Sequence, residues 1–282
     1  MKKILVPYDF SEIARQALAY AGFLAKLIKA ELVVAHVLEQ GHRQFVRTNA
    51  RHDAQLEQEY LDYVREAVST HIQKNLSALE LEARLATPLE TDGIVPTLLG
   101  QMAQEAPEMV VMGTHGHNGL ENLLTGSRTE QLLRKATCPV LSLRAGVPLP
   151  QLKKILVATS LEREDLPMLS WVRKFQQLTR THLEVVAVNT PARFQSDDYW
   201  QHNAQGLTEA AQLTQYTLHL TAARTEEEGI LHQAEQTKPD LIVMGTHQRE
   251  GALRFFLGSI AESLIQKSSW PILTFGNKYV KN

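Results

Sequence analysis

Residues 112–127 read MGTHGHNGLENLLTGS, a glycine-rich segment between an apolar run and a segment with helical spacing. The apolar run, residues 109–112, predicts a buried strand, and Ser127 is a residue type that caps helix N-termini. This order suits an anion, because the N–H groups at a helix start are unpaired and glycine lets the backbone approach closely. The lysine of a P-loop is absent. Phosphate binding and a plain glycine-rich turn therefore both remain open from spacing alone.

A second copy of this segment lies 132 positions later, where residues 244–259 read MGTHQREGALRFFLGS. Both copies begin with MGTH and end with Gly-Ser, and KKILV occurs at residues 2–6 and again at residues 153–157. Such repetition predicts two copies of one structural unit. We expect a first domain at residues 1–146 and a second at residues 152–282, joined by a short linker that contains proline and glycine.

Buried strands alternate with helices in the predicted order of each copy. In the first copy we predict strands at 3–7, 31–38, 79–86, 108–112 and 139–143, and helices at 13–29, 54–74, 94–104 and 127–136. In the second copy we predict strands at 155–158, 183–188, 216–222, 241–244 and 272–275 and helices at 166–179, 227–237 and 259–267. Residues 189–206 show no clear pattern and are predicted to be irregular. The fold class is therefore α/β, with two tandem doubly wound (Rossmann-like) parallel five-stranded sheets and flanking helices. Ligands of such sheets bind beyond the carboxyl ends of the strands, where we expect Asp9, Val37 and Gly113 to converge.

Composition argues against several classes of partner. The net charge of −2 over 282 residues predicts no general attraction to nucleic acid or to an acidic membrane surface. The single cysteine, Cys138, excludes an intrachain disulfide and suits a reducing compartment. The start of the chain leads directly into a strand rather than into the apolar core of a signal peptide, so we expect a cytoplasmic protein. His115 and His117 form an H-x-H pattern, but no cysteine or carboxylate cluster completes a metal site nearby, and no metal is predicted.

The chain resembles the universal stress protein family in its tandem two-domain form. That family has a nucleotide motif of Gly, two residues, Gly, nine residues, Gly, then Ser or Thr, and Gly113, Gly116, Gly126 and Ser127 match it. A second match is a Pro-x-Asp-x-Ser turn after the first strand, here residues 7–11. The resemblance covers nearly the whole chain, once in each half.

The resemblance implies an ATP-binding crevice in the first half, with or without Mg²⁺. Pro7 and Asp9 would lie at the adenosine end, with Val37 beside the base. Met112 and Gly113 would flank the ribose. The phosphates would be held by the residues of the glycine loop and the helix start, namely Gly116, Gly126, Ser127, Arg128 and Thr129. Asp9 also has a structural alternative, as the N-cap of the first helix.

The second half departs from the family motif at three positions. Gln248 stands in place of the second glycine, and Ala158 and Ser160 replace the proline and the aspartate of the turn. A side chain at position 248 would intrude where backbone must meet phosphate. We therefore expect the second half not to bind ATP.

Two classes of function stay open at this point. The first is an ATP-binding regulator of the stress response, and the second is an enzyme, at most a slow ATPase, because no general base lies near the loop. No catalytic residues are assigned. A third possibility is a module that binds a non-nucleotide small ligand or a protein through the divergent second half. We also expect the halves to pair through their last strands as a pseudo-dimer, since apolar edge strands need cover; a homodimer of the whole chain is a further alternative.

Overall fold

The computed structural model describes residues 2–39, 54–86, 89–91, 93–114, 127–149, 151–246 and 256–276. Within them the chain folds twice into an α/β unit whose five main strands are parallel. The predicted α/β class and its repetition in two halves are thus confirmed.

The first half contains seven strands and four helices in its described part. The strands are β1 (Lys3–Pro7), β2 (Glu31–Ala35), β3 (Val37–Glu39), β4 (Arg84–Leu85), β5 (Leu89–Thr91), β6 (Met109–Gly113) and β7 (Val140–Leu143). The helices are α1 (Glu12–Ile28), α2 (Ala54–Ala78), α3 (Ile94–Glu105) and α4 (Ser127–Lys135).

The second half contains five strands and four α-helices in its described part. The strands are β8 (Lys154–Ala158), β9 (His182–Asn189), β10 (Tyr216–Ala222), β11 (Leu241–Gly245) and β12 (Ile272–Phe275). The helices are α5 (Leu166–Thr179), α6 (Asp197–Ala210), α7 (Glu226–Thr237) and α8 (Phe256–Lys267), and short 3-10 turns lie at Arg163–Asp165 and Pro191–Arg193.

The two five-stranded sheets join edge to edge into one ten-stranded sheet, in the order β10-β9-β8-β11-β12-β7-β6-β1-β2-β4. The junction is the only antiparallel pair among these described strands: β7 pairs with β12, with Leu141 opposite Leu273. Across it, the hydroxyl of Thr274 donates to the carbonyl oxygen of Val140 at 3.1 Å. The prediction that the halves pair through their last strands is confirmed.

Helices cover both faces of the sheet, and each face has a core that runs across the junction. On one face, α1 of the first half packs against α5 of the second, and the Trp171 and Phe275 rings meet edge to face at 5.4 Å. On the other face, α4 packs against α8. Cys138 lies in the core of that second face, and burial raises the pKa of its thiol to about 12. No helix within the described ranges is long and apolar enough to cross a bilayer.

Backbone geometry repeats between the halves even where the sequence does not. Four pairs of equivalent non-glycine residues have a left-handed backbone: Phe10 and Leu161, Lys29 and Arg180, Glu80 and Gln212, Ala106 and Lys238. Non-glycine residues adopt this region rarely. Its recurrence at equivalent positions indicates that both halves use the same turns.

Four sequence-based predictions of local structure were wrong. The predicted strand 79–86 is reduced to β4, Arg84–Leu85, and α2 extends to Ala78. The predicted strand 31–38 is broken at His36, whose Nδ1 lies 2.6 Å from the carbonyl oxygen of Tyr8, and β3 pairs instead with β5 in a separate two-stranded sheet. The segment 189–206, predicted to be irregular, contains the start of α6, capped by the Ser196 hydroxyl. Helix α8 begins at Phe256, so Ser259 lies inside the helix.

Candidate functional site

The first half brings its predicted adenosine-binding residues to one edge of the sheet. Strand β1 pairs with β2 on one side and β6 on the other, all parallel, so their carboxyl ends lie together. Pro7 ends β1, Gly113 ends β6, and Val37 begins β3 just beyond β2. Thr114 closes β6, since its N–H and hydroxyl both donate to the carbonyl oxygen of Leu143, at 2.7 and 3.0 Å.

Asp9 lies in the turn between β1 and α1 and is half-buried. Its Oδ1 accepts from the N–H of Ser11 at 3.1 Å and from the Ser11 hydroxyl at 2.6 Å. Ser11 is the N-cap of α1, and its Oγ accepts from the Ala14 N–H at 3.2 Å. The alternative that Asp9 caps the helix is therefore wrong, and Asp9 instead orients the capping serine. Within the described ranges the other carboxylate oxygen, Oδ2, has no hydrogen bond.

Gly113 is required by packing, whether or not a ligand is bound. A Cβ at this position would lie 2.6 Å from Cγ1 of Ile13 and 3.1 Å from its backbone carbon. The end of β6 therefore touches the first turn of α1. Met112 is 1% exposed and lies in the core, so that only its backbone can face a ligand.

The predicted phosphate-binding residues are described only in part. Gly116 and Gly126 lie outside the described residues, as do His115 and His117. Ser127, Arg128 and Thr129 form the first turn of α4, which follows β6 in the chain as predicted. No group of three or more His, Cys, Asp or Glu side chains with a metal-binding arrangement occurs in the described ranges.

The second half has a crevice at the equivalent edge, which we call the inner crevice. Its lining includes residues at the repeat positions of Pro7, Asp9, Val37, Met112 and Gly113, namely Ala158, Ser160, Val188, Met244 and Gly245. It encloses about 70 Å³. Ligand pockets usually enclose roughly 300–1,000 Å³. In this structure the inner crevice is thus too small for a nucleotide.

A buried carboxylate, Asp165, replaces the missing aspartate of the second half. It is 3% exposed, and its Oδ2 accepts from the Ser160 N–H at 2.8 Å, the Ser160 hydroxyl at 2.8 Å and the Thr159 hydroxyl at 2.6 Å. Ser160 therefore directs its hydroxyl to a protein group. The sequence analysis noted only that Ser160 replaces the aspartate of the turn, and it did not identify this carboxylate.

Arg193 lies in the inner crevice and spans two carboxylates. Its Nη1 is 2.9 Å from Oε1 of Glu226, at the start of α7, and its Nη2 is 3.4 Å from Oε1 of Glu162. In the first half the repeat positions of these two glutamates hold Ile94 and Ser11. The described part of the first half therefore has no equivalent of this ion-pair network.

Comparison with known proteins agrees with this repeated architecture. The sequence model of the family described as "Universal stress protein family" matches residues 1–144 and again residues 151–275. The chain belongs to the universal stress protein family. A universal stress protein of Methanocaldococcus jannaschii is 30% identical over 141 residues, which cover 50% of this chain and 80% of that protein. Universal stress protein A homolog 1 of Coxiella burnetii is 30% identical over 151 residues, covering 50% of this chain and 94% of that one.

A solved structure has the same fold over almost the whole length. The crystal structure of a universal stress protein from Archaeoglobus fulgidus has a TM-score of 0.71 and 21% identity, covering 97% of this chain and 98% of that chain. The family resemblance read from the glycine motif and the first turn is confirmed.

Sequence reasoning missed three polar residues in the second half of this universal stress protein: Asp165, Arg193 and Glu226. One signal was present for Asp165, because Thr159, Ser160 and an aspartate five positions on can form a local hydrogen-bonded turn. No local signal identified Arg193, since its partners lie 31 and 33 positions away in sequence.

Proposed function

We propose that the first half of this universal stress protein binds ATP and that the chain acts as a nucleotide-dependent regulator in the stress response. The observation that carries the proposal is the complete glycine motif, with Gly113 at the end of β6 and Ser127 at the start of α4. Helix starts bind phosphate through unpaired N–H groups and a partial positive charge. Membership of the family supports the same assignment.

Asp9 is the residue best suited to recognise the adenosine part. One of its oxygens is used by Ser11, whereas Oδ2 has no hydrogen bond in the described part of the chain. A carboxylate oxygen at the end of β1 can accept from a ribose hydroxyl or from the adenine amino group. An anion at an exposed helix start gains only about 0.3–1 kcal/mol, against roughly 8 kcal/mol for micromolar affinity. Most of the affinity must then come from adenosine contacts and close backbone approach.

The second half lacks these features, and we propose one ATP per chain. Three carboxylates, of Glu162, Asp165 and Glu226, would repel phosphate groups, and Arg193 is already engaged by two of them. The inner crevice of about 70 Å³ would also have to open before a nucleotide could enter. These features supply a physical reason, beyond Gln248, for a single site.

Titration calorimetry tests this proposal with a matched pair of variants. Gly126→Val places a branched side chain in the proposed phosphate loop, and Gly258→Val makes the same change at the repeat position of the second half. We expect one ATP per intact chain, no measurable binding to Gly126→Val and unchanged affinity in Gly258→Val. Parallel titrations with Mg²⁺ and with a chelator decide whether the metal takes part.

Three results would contradict the proposal: two equivalent sites per chain, unchanged binding in Gly126→Val, or loss of binding in Gly258→Val alone. Turnover provides a further check, because no general base is assigned near the loop. Multiple-turnover hydrolysis of ATP at about 1 per second or faster, if abolished in Gly126→Val, would favour the enzyme alternative.

A further inference from the structure

The side chain of His36 replaces a backbone donor at the point where β2 ends and β3 begins. The N–H of Tyr8 donates to the carbonyl oxygen of Ala35 at 2.8 Å, which continues the parallel β1–β2 ladder by one bond. In a regular parallel ladder the Tyr8 carbonyl would next accept from the N–H of Val37. It accepts instead from Nδ1 of His36, at 2.6 Å. Val37 thereby leaves the ladder and begins β3, which pairs with β5 in the separate two-stranded sheet.

The same imidazole contacts both sequence neighbours of Asp9. On one side, its Nδ1–H donates to the Tyr8 carbonyl. On the other side, its ring packs against the ring of Phe10, with centroids 4.8 Å apart and planes at 49°. Phe10 has a left-handed backbone with a φ of 67°, which a non-glycine residue keeps where the surrounding structure holds it. His36 therefore supports the turn that carries Asp9 from both sides.

His36 also determines where Val37 lies, because the two residues are adjacent in the chain. The hydrogen bond between residues 36 and 8 thus joins the residue before Val37 to the residue before Asp9. Its length sets the spacing between the two residues expected at the adenosine end of the site. Binding sites lose affinity when such a spacing changes, since their groups must be held to within about 0.5 Å.

The second half provides an internal comparison, because Ala187 stands at the repeat position of His36. The backbone bond before it is kept, since the N–H of Thr159 donates to the carbonyl oxygen of Val186 at 3.0 Å. Strand β9 nevertheless continues through Ala187 and stays paired with β10 as far as Asn189. The strand breaks in the half that has the histidine, which is also the half proposed to bind the nucleotide.

We propose that His36 is a positioning residue for the adenosine end of the first-half site. It acts by fixing Asp9 and Val37 relative to each other, rather than by contact with the nucleotide. This inference rests on the proposed ATP site, and it adds a residue outside the glycine motif and the Pro-x-Asp-x-Ser turn on which affinity for ATP depends.

Calorimetry with ATP on the full chain tests this role through two substitutions of His36. His36→Ala installs the residue of the second half and removes the donor, and it should weaken ATP binding about three- to tenfold, as expected for one lost hydrogen bond. His36→Asn keeps an N–H donor at the same number of bonds from the backbone as Nδ1. It should restore the affinity to within about twofold of that of the unmodified chain.

His71→Ala is the matched control. His71 lies on α2, and its ring also packs against the Phe10 ring with centroids 4.8 Å apart, but the bond to the Tyr8 carbonyl belongs to His36. We expect this variant to bind ATP within about twofold of the unmodified chain. Amide hydrogen exchange on the ligand-free chain gives a second readout, because exchange at residues 8–11 and 37–39 should rise in His36→Ala and stay unchanged in His36→Asn.

The inference is overturned if His36→Ala binds ATP as tightly as the unmodified chain, if His71→Ala weakens binding equally, or if His36→Asn is as weak as His36→Ala. Failure of the unmodified chain to bind ATP would instead refute the proposed function of the first half. The exchange measurement would then decide alone whether His36 holds the two segments together.

Discussion

The two site aspartates should respond to truncation in opposite ways, and this contrast tests the division of roles between the halves. Asp165→Ala removes an acceptor that takes three hydrogen bonds in a nearly fully buried position. Each hydrogen bond to a charged group contributes about 1.5–3 kcal/mol. The two hydroxyl donors can rotate to other acceptors, but the Ser160 N–H cannot. We expect Asp165→Ala to lower the free energy of unfolding by about 3–5 kcal/mol.

Asp9→Ala should cost much less stability. Asp9 is half-buried and, within the described residues, accepts only from Ser11, whose Oγ still caps α1 through Ala14. A loss of about 1 kcal/mol is expected. Its effect on ATP should be large, since losing a hydrogen bond to a charged acceptor weakens affinity about tenfold or more. Ser11→Ala is the control, because it removes the helix cap but leaves the Asp9 carboxylate in place.

Urea unfolding and calorimetry together measure both effects. All three tryptophans, Trp171, Trp200 and Trp270, lie in the second half, so their fluorescence follows that half while circular dichroism follows the whole chain. We expect Asp165→Ala to shift the fluorescence transition strongly and to keep the ATP affinity of the unmodified chain. Equal destabilisation by both variants, or loss of ATP binding in Asp165→Ala, would refute the assignment of a structural role to Asp165 and a ligand-binding role to Asp9.

Two further predictions concern the first half. Arg84, followed by Lys3, holds the pKa of the Glu105 carboxyl below its usual value. The ion pair of Glu105 with Arg84 therefore stabilises the fold at pH values above the pKa of this carboxyl in the unfolded state, and the stabilisation is lost as the pH falls through the lower pKa of the folded state. Glu105→Gln should flatten the acid side of the stability profile measured by urea unfolding, and an unchanged profile would contradict this. Gly113→Ala should lower the free energy of unfolding by about 1–3 kcal/mol because its Cβ would collide with Ile13. This loss should be smaller when it is measured in an Ile13→Ala background. An equal loss in both backgrounds would rule out the collision.

The architecture could be predicted from sequence because it rests on patterns that repeat along the chain. The apolar runs at β1 and β8, the linker and the paired MGTH segments fix the number of units, and the bounds of α5, β10 and β12 agree with the structure. Local signals failed where a distant contact decides the outcome. The break of the second strand at His36 depends on the Tyr8 carbonyl, 28 positions away, and no periodicity within the strand reports it.

The candidate site divides in the same way. Asp9 and Gly113 were predicted as site residues from short motifs, because a turn and a close backbone approach have strict local requirements. Arg193 could not be found, since its position depends on Glu162 and Glu226, which come from two other elements. Tertiary structure brings such charged residues together, and their separation along the sequence follows no regular period that would predict the contact.

The antiparallel pairing of β7 with β12 has a consequence for how such a protein can evolve. When two identical subunits associate through this edge, every substitution appears twice, and a change that abolishes one site abolishes both. Here one chain encodes both five-stranded sheets, with Leu141 opposite Leu273 across the junction. Selection can then preserve an aspartate at position 9 while accepting a serine at position 160. Because both halves belong to one chain, a substitution in one half is not repeated in the other, and the two sites can diverge while they share one sheet.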